Sequence, residues 1–141
     1  DLTWPALGPE RSRWLYPIGS VARAGGPLAL GSDWNVSSMV PLEAIQTAVT
    51  RRNPADSLSD ALLPGEAIDL TTALTAYTLG SARALGLDQQ TGSLAVGKLA
   101  DLIVLGANLE QVSVFQLARV PVRLTLLEGV PVHGRLEDLA R

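Results

Sequence analysis

Short apolar stretches separated by glycine and proline organise the first third of the chain. Residues 1–9 contain two prolines and predict a loop. A short helix is expected over residues 10–15, and a second over residues 17–24, where a pair of glycines ends it. The apolar run at residues 27–30 is bounded by glycines and predicts a strand buried on both faces, as in a parallel sheet.

The middle of the chain has the spacing of an amphipathic helix followed by a long connection. Leu42, Ile45 and Val49 form one apolar stripe in a helix that opens with a proline. A long loop is expected over residues 53–67. Asp69 is the predicted N-cap of the next helix.

That helix is expected over residues 70–79, with a further helical turn over residues 81–85 beyond a glycine. The pattern changes near residue 90, which is the predicted domain boundary. Short β-strands are expected from there on, at residues 101–105, 122–127 and 130–133, with Glu128 and Gly129 as a hairpin turn.

The composition excludes several classes of protein. The 141 residues carry 11 basic and 14 acidic side chains, so the basic excess that nucleic-acid binding needs is absent. With no Cys there is neither a disulfide framework nor a thiolate metal site. No apolar run approaches the ~20 residues of a membrane span, and the first residues do not have the pattern of a signal peptide. A cytoplasmic protein without membrane partners is expected.

Asp33 is the leading candidate for chemistry. It follows the predicted strand at residues 27–30, and the carboxyl ends of parallel strands are where ligands bind in α/β folds. A carboxylate there can bind a metal ion or act as general base on a metal-bound water. The alternative is an Asp that caps the following turn, because Asp after Gly-Ser is a common turn signal.

Three segments together resemble the amidohydrolase superfamily, and within it the YtcJ-like branch that includes N-substituted formamide deformylases. Residues 30–36 (LGSDWNV) and the helix after them resemble the last barrel strand and helix. Residues 73–82 resemble the helix after the barrel, and residues 92–105 (GSLAVGKLADLIVL) resemble the return into a small β-sandwich. The resemblance implies an α/β fold: the C-terminal fragment of a metal-dependent hydrolase TIM barrel in residues 1–90, plus part of a β-sandwich in residues 91–141.

The resemblance also implies an activity, the hydrolysis of a C–N bond in a small amide-type substrate by a metal-activated water. Asp33 would be a metal ligand or the base that takes the proton of that water, and zinc is the expected divalent metal. Trp34 and Asn35 follow Asp33 and are the expected substrate contacts. For Trp34, packing is the alternative.

The chain lacks the other metal ligands of this family, which are a His-x-His pair, a bridging carboxylate or carboxylated Lys, and further His residues. His133 is its one His and Lys98 its one Lys, and both are expected to be structural or solvated. Catalytic zinc generally has three protein ligands. A complete barrel needs roughly 250 residues. The chain, which begins with Asp1, is therefore expected to be part of a longer enzyme and inactive alone.

A different class of function remains open, a non-catalytic α/β interaction module that pairs through exposed barrel edges. Under either hypothesis the expected partner is the missing N-terminal portion of the same protein or a second copy. Structural roles are expected for the remaining conspicuous side chains: packing for Trp14 and Tyr16, helix-end charge for Arg51 and Arg52, and turn capping for Asp101.

Overall fold

Helices and one small sheet make up the computed structural model, which describes residues 3–56 and 58–140. The α-helices are α1 (Thr3–Ser12), α2 (Ile18–Arg23), α3 (Pro41–Thr50), α4 (Leu70–Thr75) and α5 (Ser81–Ala84). The strands are β1 (Leu102–Leu105), β2 (Val122–Leu127) and β3 (Val130–His133). A π-helical turn (Ala76–Gly80), hereafter the π turn, joins α4 to α5. Short 3-10 turns occupy the connections at Pro64–Glu66, Leu109–Gln111, Leu117–Arg119 and Leu136–Ala140.

The first helix begins earlier than the sequence predicts. α1 starts inside the expected loop and ends at Ser12 rather than near residue 15. Gly8, with a φ of 69°, divides it into two short helices, and Pro9 opens the second. Proline is tolerated there because the first turn of a helix needs no N–H donor. Residues 1 and 2 of the predicted loop lie outside the described residues.

Residues 27–30, hereafter segment 27–30, do not form the predicted strand. Leu28 and Leu30 are half-buried against the core, whereas Pro27 and Ala29 are exposed. The expectation of burial on both faces is wrong because, within the described part of the chain, no strand pairs with this segment. Its covered side faces the π turn, where the Leu30 N–H donates to the Ala76 carbonyl oxygen at 3.1 Å.

The predicted helix over α3 is confirmed, and its apolar stripe packs into the core, with Val49 only partly buried. Leu42, Ile45 and Ala48 are all buried. Gln46 on the same helix is 2% exposed, and its side-chain oxygen accepts the Ala118 N–H at 2.9 Å. The cluster around them contains Ile68, Ala73, Leu109, Leu117 and Val120. The core therefore draws on residues on both sides of position 90, and the domain boundary there stays a prediction.

The capping of α4 is confirmed, and its end differs from the prediction. Asp69 accepts the Thr72 N–H at 2.8 Å and the Thr72 hydroxyl at 2.6 Å. These hydrogen bonds, the side-chain one first, lower the pKa of Asp69. The helix does not break at Gly80, whose φ of −61° and ψ of −47° are helical. The chain passes through the π turn directly into α5.

The sheet and its hairpin confirm the strand predictions in the second half of the chain. The order is β1-β2-β3, and both pairs are antiparallel. Glu128 and Gly129 have φ values of 51° and 80°, which are the left-handed conformations that a tight hairpin turn requires. Leu124 on β2 is buried, whereas Ile103 and Leu127 are 50% and 56% exposed. Within the described residues no helix has the length and apolar character needed to cross a bilayer.

Candidate functional site

Asp33 lies in an exposed loop that directly follows segment 27–30. We call residues 31–40 the Asp33 loop; all of them are exposed except Ser32, which is half-buried. The carbonyl oxygen of Asp33 accepts the N–H of Val36 at 2.7 Å and that of Ser37 at 3.4 Å. The Ser37 hydroxyl donates to the Ser32 carbonyl oxygen. Main-chain bonds and the Ser37 hydroxyl therefore close this turn without the Asp33 carboxylate.

The Asp33 carboxylate accepts no hydrogen bond from any described residue. The turn-capping alternative requires a following N–H group to donate to this carboxylate, whereas those of Val36 and Ser37 donate to the main-chain carbonyl oxygen. Asp33 also has a φ of 53°, in the left-handed region that non-glycine residues seldom adopt. An exposed carboxylate without an internal partner is available to a ligand.

Trp34 and Asn35 share the exposure of Asp33. Trp34 is 65% exposed, so within the described residues the packing alternative does not account for it. Trp14 and Tyr16, for which barrel–helix packing is expected, are 57% and 68% exposed within the described residues, so that packing stays a prediction. Trp14 stacks with the Arg13 guanidinium, whose central carbon lies 5.6 Å from the ring centroid. The substrate-binding roles of Trp34 and Asn35 stay predictions.

The described residues do not form a metal site. No three His, Cys, Asp or Glu side chains among them come together as a possible ligand set. His133 is exposed on β3, with its Nε2 3.1 Å from the Val122 carbonyl oxygen. Lys98 donates to the Ser93 hydroxyl at 2.7 Å and to the carbonyl oxygens of Asp88 and Thr91. Asp33 by itself does not fit a complete zinc centre, which generally needs three protein ligands.

Arg51 has a different role from the helix-end charge that the sequence predicts. It follows α3 with a left-handed φ of 57°. Its side chain is buried, and its guanidinium donates hydrogen bonds to two main-chain carbonyl oxygens. Its Nε donates to Leu62 at 2.9 Å, and its NH2 group donates to Leu15 at 3.3 Å. Burial lowers the pKa of Arg51. Arg52 lies next to it and donates to the Ser59 carbonyl oxygen. Both arginines hold loops in place.

Two other acidic side chains are used within the fold. Glu66 is 9% exposed and accepts the Ser20 hydroxyl at 2.6 Å and the Ser20 N–H at 2.7 Å. These bonds, together with nearby Arg23 and Arg51, lower the pKa of Glu66. Asp101 accepts the Thr91 hydroxyl at 3.1 Å and the Glu128 N–H at 2.8 Å. Asp101 thus joins two turns, where the sequence predicts a cap on the preceding turn only.

The contacts that place the Asp33 loop are long-range, and sequence reasoning missed them. Ser81 lies 51 residues beyond Leu30, and its hydroxyl donates to the Leu30 carbonyl oxygen at 2.7 Å. Gly80 packs directly against the Leu28 carbonyl group. The only signal in the sequence is a glycine and a serine in the middle of a helical pattern, a pair that gives no indication of its partner.

Comparison with known proteins identifies the family to which this chain is similar. It matches the amidohydrolase family model over residues 2–133. It is 45% identical over 103 residues to Protein LONG AFTER FAR-RED 3 of Arabidopsis thaliana, which covers 72% of this chain and 17% of that protein. It is 34% identical over 121 residues to the N-substituted formamide deformylase of Arthrobacter pascens, covering 86% of this chain and 22% of the enzyme.

A further relative is the amidohydrolase YtcJ of Bacillus subtilis, which is 27% identical over 137 residues, covering 96% of this chain and 26% of that protein. The chain thus spans 17% to 26% of the length of these three curated relatives.

Solved structures share the fold of this chain. An adenosine deaminase from Xanthomonas campestris with bound zinc has a TM-score of 0.62 and 28% identity, over 84% of this chain and 28% of that one. An amidohydrolase from Thermotoga maritima MSB8 has a TM-score of 0.58 and 22% identity, over 84% of this chain and 26% of that one. The fold is therefore that of part of an amidohydrolase domain. The chain belongs to the amidohydrolase family, in the branch that contains YtcJ and the formamide deformylase.

Proposed function

We propose that this chain is the C-terminal part of a metal-dependent hydrolase that cleaves a C–N bond in a small amide-type substrate. The observation that carries the proposal is the Asp33 carboxylate, which is exposed and has no partner among the described residues. The similarity to a formamide deformylase supports the reaction class. The last strand and helices of a TIM barrel, and part of a β-sandwich, are the proposed setting.

Asp33 acts as the general base in this proposal. As the oxygen of a water molecule attacks the carbon of the C–N bond, the carboxylate takes one proton from that water. The C–N bond then breaks, and the proton passes to the departing nitrogen, which leaves as an amine. A carboxylate suits this role when it is accessible and no internal donor occupies its oxygens. Trp34 and Asn35 are the proposed contacts for the substrate, because they adjoin Asp33 in the same exposed loop.

The proposed metal site is complete only in the whole enzyme. Zinc is the proposed ion, by analogy with the zinc-bound adenosine deaminase. The described donors of this chain do not fit a complete site for it. Asp33 is one proposed ligand, and further residues outside the chain would have to supply the rest. The chain alone should therefore neither hold stoichiometric zinc nor turn over amides, and finding it does both would contradict the proposal.

The test of the proposed chemistry is Asp33→Asn in the enzyme that contains this chain. The substitution keeps the size of the side chain and removes its ability to accept a proton. A general base contributes roughly 10²–10⁴-fold to the rate, so kcat should fall by that factor. Turnover close to that of the unchanged enzyme would show that Asp33 is only a turn residue.

The exposed apolar surface favours a second candidate function, a non-catalytic interaction module. It also fits the partners proposed for the hydrolase. Segment 27–30 has no paired strand in the described chain, and Ile103, Leu127 and Val130 are each at least half exposed on the sheet. Such surfaces favour association. The proposed partner is the remaining portion of the enzyme or a second copy of this chain.

Sedimentation of the isolated chain tests this surface. The unchanged chain should form dimers or larger species, and Leu127→Lys should shift it toward monomer. Leu58→Lys is the matched control, because Leu58 is 89% exposed and belongs to the connection after α3 rather than to a strand. A chain that is monomeric at all concentrations would remove the association proposal, whereas the Asp33→Asn turnover decides between enzyme and module.

A further inference from the structure

The π turn and the first residue of α5 hold both main-chain groups of Leu30, three residues before Asp33. The Leu30 N–H donates to the Ala76 carbonyl oxygen at 3.1 Å. The Leu30 carbonyl oxygen accepts the Ser81 hydroxyl at 2.7 Å. The same hydroxyl lies 3.0 Å from the Ala76 carbonyl oxygen, so one side chain bridges the helix and the segment. These contacts fix the position of the main chain immediately before the Asp33 loop.

Gly80 allows the helix to come this close. A Cβ atom added to Gly80 would collide with the Leu28 carbonyl oxygen. The helical φ of −61° at Gly80 does not require glycine, which is unfavourable in the middle of a helix. The close approach to segment 27–30 is therefore the physical reason for glycine here.

The π turn explains how the Ala76 carbonyl oxygen accepts hydrogen bonds both from its own helix and from Leu30. In an α-helix the Ala76 carbonyl would accept the N–H of Gly80, four residues on. Here it accepts the Ser81 N–H, five residues on, and it also accepts the Leu30 N–H. Single π-helical turns inside α-helices are frequently found at functional sites. This one lies where the helix contacts the segment that leads to Asp33.

We propose that Ser81, aided by Gly80, is a positioning residue for the reaction and acts through Leu30 on Asp33. The proposal rests on the proposed function of Asp33 as general base. The Asp33 carboxylate has no side-chain partner among the described residues, so the main chain alone sets its location. A misplacement of about 1 Å at a reacting group can cost roughly 100-fold in rate. The Ser81 hydroxyl should therefore matter to turnover although it does not touch substrate.

Hydrogen exchange in the 141-residue chain tests the anchoring directly. Ser81→Ala removes the bond to Leu30, and the Leu30 amide should then exchange about 10-fold faster, which a tenfold change in the opening equilibrium would produce. Ser81→Thr keeps the hydroxyl and should restore protection. The control is Thr78→Ala, because the Thr78 hydroxyl donates to Leu74 within its own helix. Unchanged Leu30 exchange in Ser81→Ala overturns the proposal.

Kinetics in the enzyme that contains this chain test the consequence. Ser81→Ala should lower kcat about 10–100-fold with KM within about two-fold, and Ser81→Thr should recover most of kcat. A purely structural role would lower the melting temperature and leave kcat per folded enzyme unchanged, and that result overturns the proposal. If Asp33→Asn retains turnover while Leu30 exchange still rises in Ser81→Ala, the proposed function fails and the anchoring stands.

A second pair of variants applies if Ser81→Ala does not fold. Gly80→Ala should push segment 27–30 away from the helix and speed Leu30 exchange. Gly65→Ala is the control, because a Cβ atom there meets nothing within 4 Å. Equal Leu30 exchange in the two alanine variants would overturn the proposal.

Discussion

The Asp33 loop and the segment of residues 88–101, hereafter the Lys98 segment, are both rich in turn residues, but Asp33 differs from Lys98 and Asp101 in its hydrogen-bond partners. In the Lys98 segment, Lys98 donates to three oxygen atoms, and Asp101 accepts two hydrogen bonds. In the Asp33 loop, main-chain bonds and the Ser37 hydroxyl close the turn, and the Asp33 carboxylate has no described partner. Charged groups that support the fold find partners inside the chain. The Asp33 carboxylate has no such partner among the described residues and is therefore available to a ligand.

The comparison predicts that charge removal destabilises the Lys98 segment most. Lys98→Met deletes the ammonium group and leaves three oxygen acceptors without this donor. Hydrogen bonds to charged groups contribute about 1.5–3 kcal/mol, so the free energy of unfolding should fall by that amount. Urea denaturation of the isolated chain measures it.

The control for Lys98→Met is Arg83→Met. Arg83 is an exposed cation with no hydrogen-bond partner in the described chain, so its loss should change stability by less than about 0.5 kcal/mol. Equal effects in the two variants would show that the partners of Lys98 add nothing, and would break the comparison.

A smaller effect is expected from the pH dependence of Glu66. Bonds from Ser20 lower the pKa of Glu66 in the folded chain. The unfolded chain, where Glu has a pKa of about 4.3, therefore binds the proton first. The stability from Glu66 is fully present above that value and is lost as the pH falls through the lower folded pKa.

Glu66→Gln should accordingly weaken the chain at neutral pH and flatten the acid branch of its stability curve. Denaturation midpoints across the acid range measure both changes. Glu110→Gln, at an exposed position on a short turn, is the matched control. An acid branch that keeps its slope in Glu66→Gln would mean that the Ser20 bonds do not favour the ionised carboxylate.

Local signals explain the parts of the fold that the sequence predicts correctly. The stripe on α3, the Asp69 cap and the Glu128-Gly129 turn depend on residues within about one helical turn or one hairpin. The apolar composition of segment 27–30 predicts a buried strand. Its state depends on a neighbouring strand, and none is present in the described chain. The composition of a segment does not show whether a neighbouring strand is present to pair with it.

At the candidate site, too, local features are predictable from the sequence and long-range contacts are not. The position of Asp33 after an apolar run and a Gly-Ser pair made it identifiable from sequence. Its anchoring by Ser81 depends on a contact 51 residues away, and the burial of Arg51 depends on two distant carbonyl oxygens. These contacts form only when separate elements pack together. No local pattern distinguishes Ser81 from an ordinary helical serine.

The most direct test of the central claim is kcat for Asp33→Asn beside Asp101→Asn, two identical chemical changes in the enzyme that contains this chain. Asp33→Asn should lower kcat roughly 10²–10⁴-fold and change the free energy of unfolding by less than about 0.5 kcal/mol. Asp101→Asn should weaken the fold and keep kcat per folded enzyme near that of the unchanged protein. Near-normal kcat in Asp33→Asn would contradict the claim that Asp33 serves the reaction.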